Sequence, residues 1–266
     1  MSADGTEIAG RVQGHGPPVV FVNGGAGDGD TSWGLLMPFV AEHFTCFLLS
    51  TRGRGLSADS DDHSCERLVE DVTAFADSIG EPVGLVGHSS GAMLGLAAAA
   101  ARSAAVSAVV AYEPAVAALL EESDLQQLEL AVGRAHEAAV QGQLADAARR
   151  FVEACPFFND EESALLSDVG AFEFMAPFVL MWMQEQSEYL RAIDPAVIER
   201  ISAPVLLLHG PHTHRVFTAS VRHLADEIAD ARLTEIPDVG HMGPVVAPAA
   251  VADELVRFLE DTLAPA

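Results

Sequence analysis

Basic residues are scarce in this 266-residue sequence, which has 14 arginines and no lysine against 39 aspartates and glutamates. The formal net charge of −25 produces a negative field, which repels nucleic-acid phosphates and anionic lipid headgroups. The sequence therefore argues against nucleic acids and membranes as partners. Most of this charge is expected to form a solvated acidic surface, which also disfavours a polyanionic substrate.

Cysteine and long apolar runs are scarce as well. Cys46, Cys65 and Cys155 are odd in number and scattered, so we expect no disulfide framework and a reducing compartment. No apolar run approaches the ~18 residues of a membrane span, because Arg102 interrupts the alanine-rich stretch. The amino-terminal residues lack the basic and apolar regions of a secretory signal. These absences predict a cytoplasmic protein.

Apolar residues make up half of the chain, enough for one large core with an inserted subdomain. Short strand-like runs alternate with helical stretches in both flanks of the chain. The strand-like runs are residues 19–22, 46–49, 82–86, 106–112, 204–208 and 233–236, and the helical stretches are 64–79, 90–102, 216–229 and the segment after Pro248. This alternation predicts the α/β class, with a mostly parallel sheet covered by helices on both faces.

Residues 115–195 interrupt this alternation with a segment of helical character. The segment collects large apolar side chains, namely Phe151, Phe157, Phe158, Phe172, Phe174, Phe178, Trp182, Met175, Met181 and Met183. We predict a helical cap (lid) at 115–195 over a core domain formed by residues 1–114 and 196–266. Most of these side chains are expected to hold the cap together. Trp182, whose indole offers a flat apolar face and one donor, and Phe178 are predicted substrate contacts.

The nucleophile is predicted from the run Gly87-His88-Ser89-Ser90-Gly91, which fits G-x-S-x-G. An apolar strand-like run precedes it and an alanine-rich helical stretch follows it, so Ser89 is expected on a sharp strand-to-helix turn. Such a turn crowds the backbone and requires glycine on either side. The pattern and its context together indicate a nucleophilic serine.

A serine hydroxyl needs a base to accept its proton, and His241 is the candidate. It follows the last strand-like run and precedes the final helix, so we expect it in a loop at the carboxyl edge of the sheet. The other nine histidines lack this placement. His212 and His214 are close together, but no carboxylate cluster completes a metal site there. We therefore expect neither a metal nor another cofactor.

At this point the sequence resembles the α/β-hydrolase superfamily over most of its length. Asn23-Gly24-Gly25 stands where that family often has His-Gly-x, and Arg52-Gly53-Arg54-Gly55-Leu56-Ser57 resembles its D-x-R-G-x-G-x-S segment, with Ser50 in place of the acid. The resemblance implies the α/β-hydrolase fold and an oxyanion hole formed by the backbone N–H groups of Gly25 and Ser90. It also implies that Gly24 contacts the substrate.

The acid of the catalytic triad is where the sequence departs from the common family pattern. Family members usually have an aspartate shortly after the strand that matches residues 205–208, and here Thr213 takes that place. Glu113, just after the strand-like run 106–112, is the predicted substitute. A minority of the superfamily has its acid there, and the chain resembles the zearalenone-type lactonases within it. Asp238, three residues before His241, remains an alternative.

These residues predict a serine hydrolase that cleaves an ester or lactone of a hydrophobic small molecule through Ser89, His241 and Glu113. Two alternatives stay open. One is hydrolysis of a carbon–carbon bond on the same scaffold. The other is a non-catalytic receptor for a small molecule, to which the missing aspartate gives some weight.

Overall fold

One twisted sheet carries the loops that hold the candidate site residues. The computed structural model describes residues 1–102 and 104–263. The strands are β1 (Gly10–Gly14), β2 (Pro18–Val22), β3 (Thr45–Leu49), β4 (Val83–His88), β5 (Val106–Tyr112), β6 (Val205–His209) and β7 (Ala231–Glu235). They lie in the order β1-β3-β2-β4-β5-β6-β7. The edge strand β1 is antiparallel to β3, and the other pairs are parallel.

Helices connect the strands and cover the sheet. The α-helices are α1 (Gly29–Trp33), α2 (Met37–Val40), α3 (Cys65–Ile79), α4 (Ser90–Ala101), α5 (Glu122–Ala139), α6 (Leu144–Ala154), α7 (Asp160–Asp168), α8 (Ala171–Met175), α9 (Val179–Tyr189), α10 (Pro195–Ile198), α11 (Arg215–Glu227), α12 (Gly243–Val246) and α13 (Pro248–Leu263). Short 3-10 turns lie at Ala117–Leu119 and Ala176–Phe178.

Two apolar clusters show that both faces of the sheet are covered. Leu68 of α3 and Leu94 of α4 pack in one cluster, whereas Trp33 of α1 and Leu255 of α13 pack in the other. The predicted α/β class and mostly parallel sheet are confirmed, and each strand-like run lies within or beside an observed strand. The sequence did not predict β1, because its residues are mainly exposed and carry no apolar run.

The segment between β5 and β6 is helical in the part of the chain that the structure describes. We call residues 115–195 the cap segment. Its buried side chains, including Phe151 and Trp182, join the same apolar cluster as Leu94 of α4. The segment therefore packs on the side of the sheet that is covered by helix α4.

The described helices differ in length and hydrophobicity. None of them alone is long and apolar enough to cross a membrane. The bent pair Asp160–Asp168 and Ala171–Tyr189 reaches the required length and composition only when its two parts are taken together, across a bend of 87°.

Candidate active site

Three side chains from separate loops meet at the carboxyl edge of the sheet, where parallel strands present their following loops. Ser89 follows β4, Glu113 follows β5, and His241 lies after β7. His241 Nε2 is 3.1 Å from Ser89 Oγ, and His241 Nδ1 is 2.7 Å from Glu113 Oε2. Asp238 is exposed, and no hydrogen bond between it and His241 is found in the described chain. The hydrogen-bonded chain thus runs from Ser89 through His241 to Glu113.

The turn that carries Ser89 is tightly enclosed. Ser89 has φ 55°, in the left-handed region that side chains other than glycine seldom adopt. A Cβ on Gly87 would lie 2.3 Å from the carbonyl oxygen of Gly91, and a Cβ on Gly91 would lie 2.3 Å from that of Val22. Both flanking positions therefore require glycine, as the sequence pattern suggested.

Glu113 is fully buried and also has a positive φ of 50°. Its Oε1 accepts a hydrogen bond from the Gly210 N–H at 3.0 Å. Its Oε2 accepts one from the Thr213 hydroxyl at 2.7 Å. Burial raises the pKa of Glu113 to about 7, while these two hydrogen bonds act in the opposite direction. Thr213, where the resemblance led us to expect an aspartate, thus donates to the carboxylate of Glu113.

His241 lies in an apolar environment. Its ring stacks on Phe217 with centroids 4.3 Å apart and planes at 12°, and Phe158 meets it edge-on at 5.5 Å. Burial lowers the pKa of His241 to about 4, because a low-dielectric environment disfavours the imidazolium. The imidazole is therefore neutral at pH 7 and can accept a proton.

The loop around His241 is held by hydrogen bonds from several directions. The Tyr112 hydroxyl donates to the Gly240 carbonyl at 2.7 Å, and His88 Nε2 donates to the His241 carbonyl at 2.8 Å. From the cap segment, Glu162 Oε1 accepts the Met242 N–H at 2.7 Å. Sequence reasoning missed Glu162, because no local pattern relates it to a loop 80 residues away.

A cavity of about 40 Å³ lies beside Ser89 and His241. Its lining includes the polar side chain of Gln186 and six aromatic side chains, namely Phe151, Phe157, Phe158, Trp182, Tyr189 and Phe217. Ser90 also lines it, and the Ser90 hydroxyl finds no hydrogen-bond partner among the described residues. The mainly apolar walls suit an apolar ligand group.

The predicted substrate contacts fall in different places. Trp182 lines the cavity and packs against Gly25, where an added Cβ would lie 2.3 Å from its Cδ1 atom. Gly24 and Phe178 are not among the residues that line this cavity. Gly24 instead lies against His88, and Phe178 is half-buried elsewhere in the cap segment.

The histidines after β6 have structural partners. His214 Nδ1 accepts the Val216 N–H at the start of α11, and the His212 carbonyl accepts from Asn159 Nδ2 at 3.0 Å. Within residues 1–102 and 104–263, no three His, Cys, Asp or Glu side chains are grouped as a metal site would require.

Comparisons with known proteins agree with this architecture. The profile of the Alpha/beta hydrolase family matches residues 19–254. The BpoC protein of Mycobacterium tuberculosis is 27% identical over 92% of this chain and 94% of its own length. The 2-hydroxy-6-oxo-6-(2'-aminophenyl)hexa-2,4-dienoic acid hydrolase of Metapseudomonas resinovorans is 24% identical over 97% and 89% of the two chains. The crystal structure of an alpha/beta hydrolase from Sphaerobacter thermophilus is 29% identical, with a TM-score of 0.78 over 97% and 98%.

Proposed function

Because the chain belongs to the Alpha/beta hydrolase family, we propose that it is a serine hydrolase that cleaves an ester or lactone of a hydrophobic small molecule. The observation that carries this proposal is the hydrogen-bonded chain from Ser89 through His241 to Glu113 beside an aromatic cavity. A nucleophile, a neutral base and a group that orients the base are thus within hydrogen-bond distance of one another.

In the proposed mechanism, His241 Nε2 accepts the Ser89 proton while the Ser89 oxygen attacks the substrate carbonyl. The backbone N–H groups of Gly25 and Ser90 stabilise the resulting oxyanion. Glu113 accepts from His241 Nδ1, which fixes the tautomer and stabilises the imidazolium. His241 then protonates the leaving alcohol and activates the water that hydrolyses the acyl-enzyme.

We place the acid of the triad at Glu113, as in the zearalenone-type lactonases that the sequence resembles. The 2.7 Å distance from Glu113 to His241 supports this position. The Thr213 hydroxyl gives further support, because it donates to Glu113 from the position where the more common aspartate would stand.

The cap segment is proposed to cover the substrate during the reaction. Its aromatic side chains favour a hydrophobic acyl or aryl group, and Trp182 is the proposed contact beside the oxyanion hole. Neither arginine nor lysine is among the described residues that line the cavity. A neutral substrate is therefore preferred over one that carries a carboxylate near the reacting bond.

Carbon–carbon bond hydrolysis is the second candidate function. The Metapseudomonas relative named above, a hydrolase of a dienoic acid, aligns with almost the whole chain, which favours this alternative. The apolar cavity counts against it, since it offers no cation for the carboxylate of such a substrate. Both alternatives require Ser89, whereas a non-catalytic receptor would not.

The test is a panel of aryl esters, alkyl esters, lactones of varied ring size and dienoic-acid substrates. It is run on the wild type, on Ser89→Ala, and on Ser78→Ala as a control on the exposed end of α3. We expect ester or lactone hydrolysis that is lost in Ser89→Ala and kept in Ser78→Ala. Turnover restricted to the dienoic acids would favour the second candidate, and ligand binding without any product would contradict both enzymatic proposals.

A further inference from the structure

The loop after β2 has carbonyl oxygens that accept hydrogen bonds from two buried side chains. Asn23 Nδ2 donates to the Gly24 carbonyl at 3.0 Å and to the Gly27 carbonyl at 2.9 Å. Arg54 Nη2 donates to the Gly25 carbonyl at 3.1 Å. Asn23 and Arg54 are both almost completely buried, so water does not compete for these carbonyls.

The hydrogen bond to the Gly24 carbonyl also determines where the Gly25 N–H points. The two groups belong to one planar trans peptide and therefore point in opposite directions. Gly24 lies against His88, the residue before Ser89, and Gly25 lies against Trp182 of the cavity wall. With its carbonyl held by Asn23, this peptide has its N–H directed away from the Asn23 side chain.

The charge of Arg54 is balanced by a side chain of the cap segment. Glu185 of α9 receives two hydrogen bonds from Arg54, at 3.1 Å and 2.6 Å, and both side chains are fully buried. Tyr189 of the same helix accepts from Arg54 at 3.2 Å, and His63 Nδ1 lies 2.5 Å from Glu185 Oε1. A buried guanidinium keeps a defined position only when its partners are in place.

We propose that Asn23 and Arg54 are positioning residues for the oxyanion hole, with Glu185 coupling the docked cap segment to that orientation. The inference rests on the proposed hydrolase function. Asn23 and Arg54 hold the carbonyls on either side of Gly25, so both peptides that flank its Cα are oriented. Helix α9 also carries Trp182 and Tyr189 of the cavity wall. The position of this helix therefore affects both the cavity wall and the orientation of the Gly25 N–H.

The closing experiment compares two buried ion pairs whose arginines, Arg52 and Arg54, are two residues apart in the sequence. Arg54→Met/Glu185→Gln removes the donor to Gly25 together with its counter-charge. Arg52→Met/Asp71→Asn removes an equally buried, doubly hydrogen-bonded pair that, among the described residues, makes no hydrogen bond to the Gly25 loop. Each is assayed for ester kcat and KM and for inhibition by an aryl trifluoromethyl ketone, whose adduct with the serine carries an oxyanion.

We expect kcat of the Arg54 double variant to fall by about 10- to 100-fold, with KM changed less than about 3-fold. Affinity for the trifluoromethyl ketone should fall in parallel. The Arg52 double variant should lose thermal stability to a similar extent and keep kcat within about 3-fold of the wild type. Asn23→Ser, which leaves both charge pairs intact, should reproduce the loss of kcat and carries the test if the Arg54 double variant does not fold.

Three results would overturn the inference: unchanged kcat and inhibitor affinity in the folded variants, equal losses in the Arg52 control, or a change confined to KM. Failure of the proposed function is recognised separately. It would appear as a wild type without turnover that depends on Ser89, measured beside Ser89→Ala. An active wild type with unaffected Arg54 and Asn23 variants contradicts only the positioning role.

Discussion

The carboxylate of Glu113 is buried, and no arginine or lysine among the described residues bonds to it; three hydrogen-bond donors hold it instead. These are the Gly210 N–H, the Thr213 hydroxyl and His241 Nδ1. Burial favours the neutral acid, whereas donors favour the carboxylate. The balance between these two effects decides at which pH Glu113 can support a charged His241.

Replacing Glu113 with glutamine should lower kcat by about 10²- to 10⁴-fold, because the imidazole loses the anion that sets its tautomer and stabilises its charge. The fold should be kept, since a glutamine oxygen can still accept from Gly210. Steady-state kinetics and thermal melting, measured together, check this. Asp238→Asn is the matched control and should stay near the wild type. The reverse ranking would move the triad acid to Asp238.

The activity should fall as the pH drops through about 7. The proposed mechanism needs a charged Glu113 and a neutral His241, and burial raises the pKa of Glu113 to about 7. The Thr213 hydroxyl lowers that pKa, so Thr213→Val should raise it and move the acid limb of kcat/KM to higher pH. Thr213→Ser keeps the hydroxyl, so the acid limb of kcat/KM should stay at the same pH as in the wild type.

The measurement is a pH profile of kcat/KM with an ester that does not itself titrate. Coincident profiles for Thr213→Val and Thr213→Ser would show that the Thr213 hydroxyl does not lower the pKa of Glu113.

At the scale of elements, residues at the start of α7 form hydrogen bonds to two loops of the candidate site. Asn159 and Glu162 form a reciprocal cap at its start: the Glu162 N–H donates to Asn159 Oδ1 at 2.8 Å and the Asn159 N–H donates to Glu162 Oε2 at 3.2 Å. Their remaining polar atoms reach outward, to the Met242 N–H and to the His212 carbonyl. A cap-segment helix thereby holds the residues next to His241 and Thr213.

Glu162→Ala should destabilise the fold by about 1–3 kcal/mol, because it leaves two partly buried N–H groups unpaired. It should also lower kcat by about 10-fold, since small displacements of a catalytic group are costly. Urea unfolding, kinetics and hydrogen exchange of the Met242 amide test these effects. The neighbouring Glu161 is exposed, and Glu161→Ala should change none of them. A Glu162→Ala protein with normal kcat and a protected Met242 amide would contradict the role of α7.

For the molecule as a whole, the net negative charge and the apolar cavity both disfavour anionic ligands. The net charge of −25 repels anionic ligands at a distance, and the cavity wall offers them no cation among the described residues. The cavity of about 40 Å³ is far smaller than the ~300 Å³ or more of typical ligand pockets. A cavity of this size holds only a small group, such as the part of a substrate next to the reacting bond.

A matched pair of aryl acetates, one neutral and one with a carboxylate on the ring, should differ in its response to salt. At about 10 mM ionic strength the neutral ester should have the higher kcat/KM. The difference in kcat/KM between the two esters should decrease at about 150 mM, because the charges are screened. Only the anionic ester should depend strongly on salt. Faster turnover of the anionic ester at low salt would instead favour the alternative with dienoic-acid substrates.

Local sequence patterns were sufficient for the elements around Ser89. Apolar runs, helical periodicity and the glycines at 87 and 91 depend on neighbours within a few residues, so the strand-to-helix turn was predictable. The edge strand β1 was not, because an exposed strand needs no apolar run. In the sequence, Thr213 indicated only that the expected aspartate is absent. Its hydrogen bond to Glu113 was not predictable from local patterns.

Only the tertiary structure decided which distant groups became partners. Glu113 and Thr213 are 100 residues apart, Glu162 and Met242 are 80 apart, and Arg54 and Glu185 are 131 apart. No periodicity links such positions. They meet because the strand order places β5 beside β6 and because the cap segment contacts the loops that follow β6 and β7. The sequence determines which residues stand at the ends of the elements, and the packing of those elements determines which atoms bond.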